Sequence, residues 1–235
     1  MLKIENTDVY GFESAIRGMR NPMNSWDKSD SEWVLLEDWQ QADTGEVSRY
    51  QIGENDLKLM KNLSKAGNDH GKFLRMINVT LDITAPLYWW KEFDTYKVGT
   101  VANSCSTMHK IHAKEFEIDD FSHEHLFDGI YMIEGESDME YYENPTNCLE
   151  YTIGVLNHYR KKFIETKDKY YWWQMIQLLP SSYNQTRTVQ LNYQVLKTMY
   201  YARRNHKLDE WREFCDWIET LPYFKEVCLN ADTDN

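Results

Sequence analysis

The chain has 235 residues, of which 42% are hydrophobic and 14% aromatic, and its formal net charge is -12. This length fits one large or two small domains, and the apolar content is enough for a buried core, so the chain is not disordered. The negative charge repels a phosphate backbone at long range and disfavours general DNA or RNA binding, although one local cluster of cations could hold a small nucleotide. No apolar run approaches the roughly 20 residues of a membrane span, so we expect no membrane segment.

Four cysteines lie far apart in the chain, without a C-x-x-C pair; they are Cys105, Cys148, Cys215 and Cys228. MLKIENTDVY has no signal-peptide pattern, so we expect reduced thiols and a cytoplasmic protein. The nine Trp and 16 Tyr residues need polar partners when buried and are frequent at subunit interfaces, which favours an oligomer.

The first third of the chain alternates predicted strands and helices. Residues 1–50 predict a strand and a helix at SAIRGMRNPM, then a polar, turn-rich insert near residues 24–50 that we expect to be mobile. ENDLKLMKNLSKAG predicts a short helix capped by Asn55. MINVTLDI, residues 76–83, alternates as a strand does, and Pro86 marks the start of a helix at LYWWKEFDTY.

The rest of the chain is predicted to be mainly helical. Residues 111–147 are acidic and loop-like, but HLFDGIYMI within them predicts a short buried helix. CLEYTIGVLNHYRKKFIET predicts the longest helix, and WWQMIQLLP begins another that stops at Pro180. TRTVQLN predicts a strand, followed by helices over residues 192–204 and 208–220. The fold class is therefore α+β, and we expect one domain over residues 1–235.

Three blocks of sequence follow one another as they do in a known enzyme family. In AGNDHGKFLRMINVTLDITAP, His70 matches the first histidine of a Gly-His-x-x-x-x-x-His segment. TYKVGTVANSCSTM falls on the signature Arg-His-Arg-x-x-Ser-x-Asn-Glu-x-Ser-x-Arg-Tyr. LLPSSYNQTRTVQLNYQVLKTMYYARRNHKLDEWREF contains a Leu-Pro, Thr-Arg, Asn, Arg and His series in the family's order. From about Asn55 to Glu213 the chain weakly resembles the flavin-dependent thymidylate synthases.

The resemblance implies a fold of helices packed on a mainly antiparallel sheet. It also implies conversion of dUMP to dTMP with FAD, NADPH and methylene-tetrahydrofolate by a homotetramer. The matching positions imply flavin contacts at His70, Lys97, Thr100 and Asn192, and contacts to a pyrimidine nucleotide at Arg187, Arg203, Lys97 and Tyr96.

The signature has lost most of its charged residues in this chain. Thr95 and Tyr96 stand where the family has arginine and histidine, and Lys97 replaces the second arginine. Further replacements are Ala102 for asparagine, Asn103 for glutamate, Cys105 for serine, Thr107 for arginine and, in the third block, Gln194 for arginine. Lysine lacks the bidentate fork of arginine, so even the conservative change weakens a phosphate site. We therefore expect the family reaction to be weakened or lost.

Each retained candidate also has a structural explanation. Arg203 shares a helix face with Leu196 and Met199, so it could equally be the C-terminal cation of a core helix. Lys97 could be a surface lysine, and Tyr96 an aromatic of the core or of an interface.

Four histidines lie within 17 residues, at His109, His112, His123 and His125. Imidazoles at such spacings can share a metal, but no recognised ligand motif is present, so we expect exposed loop histidines and no metal. Cys105 has no recognisable histidine partner, and we expect it to be structural.

Three hypotheses follow from the sequence. The protein could be a divergent enzyme that binds FAD and a pyrimidine nucleotide. It could be a non-catalytic nucleotide-binding or sequestering protein of a host or a phage. It could also be a structural or partner-binding oligomer.

Overall fold

The computed structural model describes residues 1–35, 48–129, 131–133 and 141–229. The chain divides into two compact units. Unit 1 comprises Met1–Glu5, Asp82–Thr95 and Asn103–Thr188, and unit 2 comprises Asn6–Leu81, Tyr96–Ala102 and Val189–Asn235.

The secondary structure is a mixture of strands and helices. The strands are β1 (Lys3–Tyr10), β2 (Glu32–Leu35), β3 (Ser48–Gln51), β4 (Asn78–Pro86), β5 (Val101–Ser104), β6 (Tyr131–Ile133), β7 (Tyr141–Glu143) and β8 (Asn184–Asn192). The helices are α1 (Phe12–Arg20), α2 (Glu54–Lys65), α3 (Leu87–Phe93), α4 (Pro145–Thr166), α5 (Lys169–Leu178), α6 (Tyr193–Arg203) and α7 (Asp209–Ile218). A four-stranded sheet has the order β1-β4-β8-β5, and the pairs β2-β3 and β6-β7 form antiparallel ladders. The α+β class with a mainly antiparallel sheet is confirmed.

In unit 2, α1 buries the apolar stripe that the sequence predicted, with Ala15, Ile16 and Met19 on one helix face. The last residue of α1, Arg20, donates to the Asp56 carboxylate of α2 over 2.6 Å, and the two side chains are 4% and 0% exposed. Because unpaired charges are rarely buried, this ion pair fixes how α1 and α2 pack within the unit.

In unit 1, α3 is aromatic because it is a core helix. Trp89, Trp90 and Phe93 are all at most 1% exposed, and their ring centroids lie 4.9–5.1 Å apart. A second part of the core surrounds α4 and α5, and its buried residues are Ile111, Phe116, Phe121, Leu149, Ile153, Leu156 and Met175.

Two local predictions are wrong. The described residues of HLFDGIYMI are not helical, since Leu126 and Phe127 are exposed and Tyr131–Ile133 form β6. Asn55 does not cap α2, because Gly53 occupies the N-cap position and the Asn55 N–H donates to Asp30 Oδ2 at 2.9 Å. In both cases a non-local partner, a strand or a carboxylate, outweighs the local preference.

The polar insert near residues 24–50 contains regular structure where it is described. Trp26–Lys28 form a turn of 3₁₀ helix, and the β2-β3 ladder pairs Glu32 with Gln51 and Leu35 with Ser48. Residues 36–47 of the predicted insert lie outside the described residues. Of the helices in the described ranges, none combines the length and the apolar character that crossing a membrane requires.

Candidate functional site

Helix α6 carries Arg203 and is the best-defined element of the candidate site in unit 2. It begins after Asn192, whose side-chain oxygen accepts from the Val195 N–H at 3.1 Å and so caps the helix. Leu196 and Met199 are fully buried on the same face, as their spacing predicted. Arg203 follows one turn later, in the last turn of α6.

The guanidinium of Arg203 lies against two aromatic rings. Its Nε donates to the Tyr96 hydroxyl at 2.9 Å, and its central carbon lies 5.5 Å from the Tyr96 ring centroid and 4.8 Å from that of Trp211. The two rings are 6.1 Å apart and inclined at 65°. We call Tyr96, Arg203 and Trp211 the arginine cage. A hydrogen bond and two cation–π contacts hold the cation in one plane.

The segment that follows Tyr96 packs on the start of α6. Gly99 has a φ of 79°, and a Cβ there would lie 3.0 Å from Val195 Cγ2 and 3.1 Å from Asn192 Nδ2. Lys97 is exposed to solvent. The Thr100 hydroxyl is buried and has no hydrogen-bond partner within the described ranges. This segment therefore presents one solvated cation and one unsatisfied hydroxyl.

His70, the fourth predicted flavin residue, lies in a different environment. It is exposed and lines a cavity of about 300 Å³ together with Met19, Met23 and Phe73. None of the other three predicted flavin residues lines this cavity. Among the four, only Lys97 is a permanent cation, and the Asn192 oxygen is already used as the helix cap.

Arg187 belongs to unit 1 and contacts three side chains of that unit. Its guanidinium carbon lies 4.2 Å from the Trp90 ring centroid, its Nε donates to Gln185 Oε1 at 3.0 Å, and its Nη1 donates to Asp94 Oδ1 at 2.7 Å. The Arg187 side chain is 15% exposed, whereas that of Asp94 is 51% exposed. A carboxylate thus covers the solvent side of this cation.

The replaced signature residues have local structural roles. The Thr95 hydroxyl donates to the Glu92 carbonyl at 2.7 Å, at the end of α3. The Cys105 N–H donates to the Thr186 carbonyl at 2.9 Å, beside the adjoining Thr84–Thr186 hydroxyl contact of 2.6 Å. These positions now support the backbone of unit 1 with neutral groups.

A small polar cavity of about 260 Å³ adjoins this part of unit 1. Its lining includes Cys105, Thr107 and Tyr183, and burial raises the pKa of the Tyr183 phenol. It also includes Asn184, whose buried Nδ2 has no hydrogen-bond partner among the described residues. Besides hydroxyl, thiol and amide groups, the lining contains the carboxylates of Asp119 and Asp120 and the N-terminal residue Met1, but no arginine or lysine.

The four clustered histidines are not brought together as a metal centre. His112 packs its ring on Phe163 at 4.8 Å, and its pKa is lowered by burial and by Lys167. The Nδ1 atom of His123 lies 2.8 Å from the Phe121 carbonyl oxygen. Within the described ranges, no group of three or more His, Cys, Asp or Glu residues could hold a metal ion.

Sequence reasoning missed the partners of both arginines. Trp211 lies inside the third block, in LDEWREF, but nothing in its spacing ties it to Arg203. Asp94 lies directly before the degenerate signature, and an acid at a helix end beside lost arginines was a usable signal. Gln185, which is 6% exposed, lies two residues before Arg187 on the same strand, where side chains share a face.

Comparison with known proteins places the fold. No family model matches the chain. No curated protein matches it by sequence. Thymidylate synthase X from Helicobacter pylori, solved with FAD and dUMP, is 15% identical and matches with a TM-score of 0.63 over 98% of this chain and 99% of its own. The UMP/dUMP methylase PolB from Streptomyces cacaoi, solved with 5-Br dUMP, is 12% identical and matches with a TM-score of 0.59 over 98% and 95%.

The chain therefore has the fold of the flavin-dependent thymidylate synthases. The fold predicted from the three sequence blocks is confirmed.

Proposed function

We propose that the protein binds a pyrimidine nucleoside monophosphate of the dUMP type, and that the methylation reaction of the thymidylate synthases is weakened or lost in it. The observation that carries the proposal is the arginine cage of unit 2. There a guanidinium is held in a fixed plane by the Tyr96 hydroxyl and by the rings of Tyr96 and Trp211. The two similar structures were solved with dUMP or its 5-bromo analogue, which supports a ligand of this class.

The chemistry of the cage and its neighbour suits a nucleoside monophosphate. A planar guanidinium pairs well with phosphate oxygens, and the half-buried ring of Tyr96 offers an aromatic face for a pyrimidine, whereas Trp211 is fully buried and supports the guanidinium from within. Lys97, next to Tyr96 in the chain and exposed, supplies a second positive charge. In a protein with a net charge of -12, positive charge in this segment favours the binding of an anionic ligand.

The proposed loss of methylation rests on the same stretch of chain. Preorganised charges usually make the largest contribution to stabilising a transition state. At two arginine positions of the signature this chain has Thr95 and Thr107, and the Thr95 hydroxyl donates to the Glu92 carbonyl at the end of α3. Arg187, the other predicted substrate arginine, already pairs with Asp94. A non-catalytic or sequestering protein is therefore the second candidate function.

The resemblance also implies FAD, but the predicted flavin residues offer little positive charge for its diphosphate. The diphosphate of FAD carries two negative charges, and the four predicted flavin residues supply one permanent cation, Lys97. The unsatisfied Thr100 hydroxyl is the feature most compatible with a bound cofactor.

The assembly and the compartment belong to the proposal as well. The resemblance supports a homotetramer, and four cysteines without a C-x-x-C pair favour the reducing cytoplasm. Light scattering of the purified protein tests the assembly, since a monodisperse monomer would contradict it.

A thermal-shift panel tests the proposed ligand. We expect dUMP and UMP to raise the melting temperature, whereas deoxyuridine, which has no phosphate, should not. A ligand at 100 times its dissociation constant adds about 2.7 kcal/mol of stability, an easily measured shift. If no nucleotide in the panel moves the melting temperature, the proposal fails. Titration with FAD, followed by flavin absorbance, separates a divergent enzyme from a non-catalytic binder.

A further inference from the structure

The surroundings of Arg187 in unit 1 have the features of a built anion site. The guanidinium stacks on Trp90, which is 1% exposed, and Gln185 fixes its Nε. Gln185 is itself held, because its Nε2 donates to the Cys105 carbonyl at 2.7 Å. The cation is therefore oriented by buried groups before any ligand arrives, which lowers the cost of binding an anion.

The carboxylate of Asp94 occupies the position at Arg187 where such an anion would bind. Asp94 Oδ1 accepts from Arg187 Nη1 at 2.7 Å, and the aspartate remains half exposed to solvent. Carboxylate and phosphate oxygens use the same hydrogen-bonding edge of a guanidinium. A phosphate group approaching from solvent must therefore compete with Asp94 for Arg187.

Asp94 is an unexpected residue for its position. It is the C-cap of α3, where the partial negative charge of the helix end disfavours a carboxylate. The ion pair with Arg187 offsets this cost. The local sequence gives no other reason for an acid at the end of an aromatic core helix.

We propose that Asp94 is an internal competitor that closes the anion site at Arg187, so that this arginine binds a phosphate group only when the aspartate releases it. Asp94 thus lowers the affinity of this site for phosphate groups. The inference concerns unit 1 alone and does not rest on the arginine cage of unit 2. The inference is tested with inorganic phosphate, an anion that has no nucleobase.

The direct test is titration of the purified full-length protein with inorganic phosphate at low ionic strength, before and after Asp94→Asn. Asparagine keeps the shape of the side chain and removes the competing charge. We expect phosphate to bind the Asp94→Asn protein about tenfold more tightly, the change that corresponds to about 1.4 kcal/mol. Glu165→Gln on α4 is the matched control, because Glu165 is 62% exposed and its loss changes the net charge equally.

The double variant Asp94→Asn/Arg187→Gln assigns the effect to the arginine. It should lose the gain completely and return to the affinity of the wild-type protein. The inference is overturned if Asp94→Asn binds phosphate no better than Glu165→Gln, or if the double variant binds as tightly as the single one. Asp94→Ser has a smaller neutral side chain and also removes the competing carboxylate, so it must bind phosphate more tightly as well.

A parallel titration with dUMP separates the two proposals. If Asp94→Asn gains affinity for phosphate while neither protein binds dUMP, the competitor role stands and the proposed nucleotide function fails. If the wild-type protein binds dUMP but Asp94→Asn gains nothing for phosphate, the competitor role fails alone.

Discussion

Replacing Asp56 with alanine should destabilise the protein by about 3–5 kcal/mol, because it leaves Arg20 charged and unpaired in the core. The Asp56 side chain is 0% exposed and that of Arg20 is 4% exposed, so water cannot replace the lost partner. Asp56 Oδ2 also accepts from the hydroxyls of Ser29 and Ser31, each at 2.7 Å. These hydrogen bonds connect the start of the polar insert to α2. The substitution therefore removes the contacts of Asp56 with both Arg20 and the insert.

The magnitude can be measured by urea unfolding, followed through tryptophan fluorescence. A pure loss of stability moves the midpoint and leaves the slope of free energy against urea unchanged. The matched control is Glu5→Gln, which removes a carboxylate from an ion pair whose side chains are 56% and 48% exposed. Exposed pairs contribute about 0.2–1 kcal/mol, so the control should lie close to the wild-type protein.

A double variant tests the reasoning behind the number. Arg20→Met/Asp56→Leu removes both charges, so it should be clearly less destabilised than the sum of Arg20→Met and Asp56→Leu. A loss below about 1 kcal/mol for Asp56→Ala would refute the account of a buried, uncompensated charge.

The pH dependence and the thiols give two further predictions. Burial alone would raise the pKa of Asp56, but the hydrogen bonds that it accepts lower the pKa overall. The contribution of Asp56 to the free energy of unfolding is therefore complete above the pKa of the unfolded state, about 3.9. It is lost as the pH falls through the lower pKa of the folded state. Urea midpoints of wild type and Asp56→Asn should therefore converge below about pH 4, and a constant difference would contradict this. With a thiol reagent at pH 8, two of the four thiols should react quickly and two slowly. The fast pair is Cys105 and Cys148, which are exposed, and the slow pair is Cys215 and Cys228, whose pKa values burial raises to about 12. Four equally fast thiols would show that the native core opens readily.

Much of the fold was predictable because its signals are local. The stripe of Ala15, Ile16 and Met19 and the spacing of Leu196 and Met199 each identify a buried helix face from the sequence alone. The order of the three sequence blocks then predicted the fold that the structural comparisons confirm.

The local errors have a common physical cause. HLFDGIYMI is apolar enough for a helix, but Tyr131–Ile133 pair with β7, a contact that no local pattern encodes. Asn55 is a good helix cap by type, yet the Asp30 carboxylate takes the N–H groups of Asn55 and Asp56 instead. Tertiary partners decide between states whose local free energies are similar.

For the candidate site, the sequence could predict residues of interest but not the contacts that they make. The sequence predicted substrate contacts at Arg187 and Arg203, and in the structure both guanidinium groups lie against aromatic rings. It could not reveal that Asp94 pairs with one and Trp211 packs on the other, because these pairs are 93 and 8 residues apart and follow no periodic pattern. Whether a retained cation is open to a ligand depends on such contacts.

The most direct test of the proposed function is calorimetric titration of dUMP into wild-type protein, Arg203→Gln and Arg204→Gln at low ionic strength. Arg204 follows Arg203 directly and carries the same charge, but its guanidinium lies over a different ring, that of Tyr201 at 5.4 Å. The account predicts that wild type and Arg204→Gln bind dUMP with affinities within about threefold, and that Arg203→Gln loses about tenfold or more. Absence of binding to the wild-type protein, or equal losses for the two variants, would contradict it.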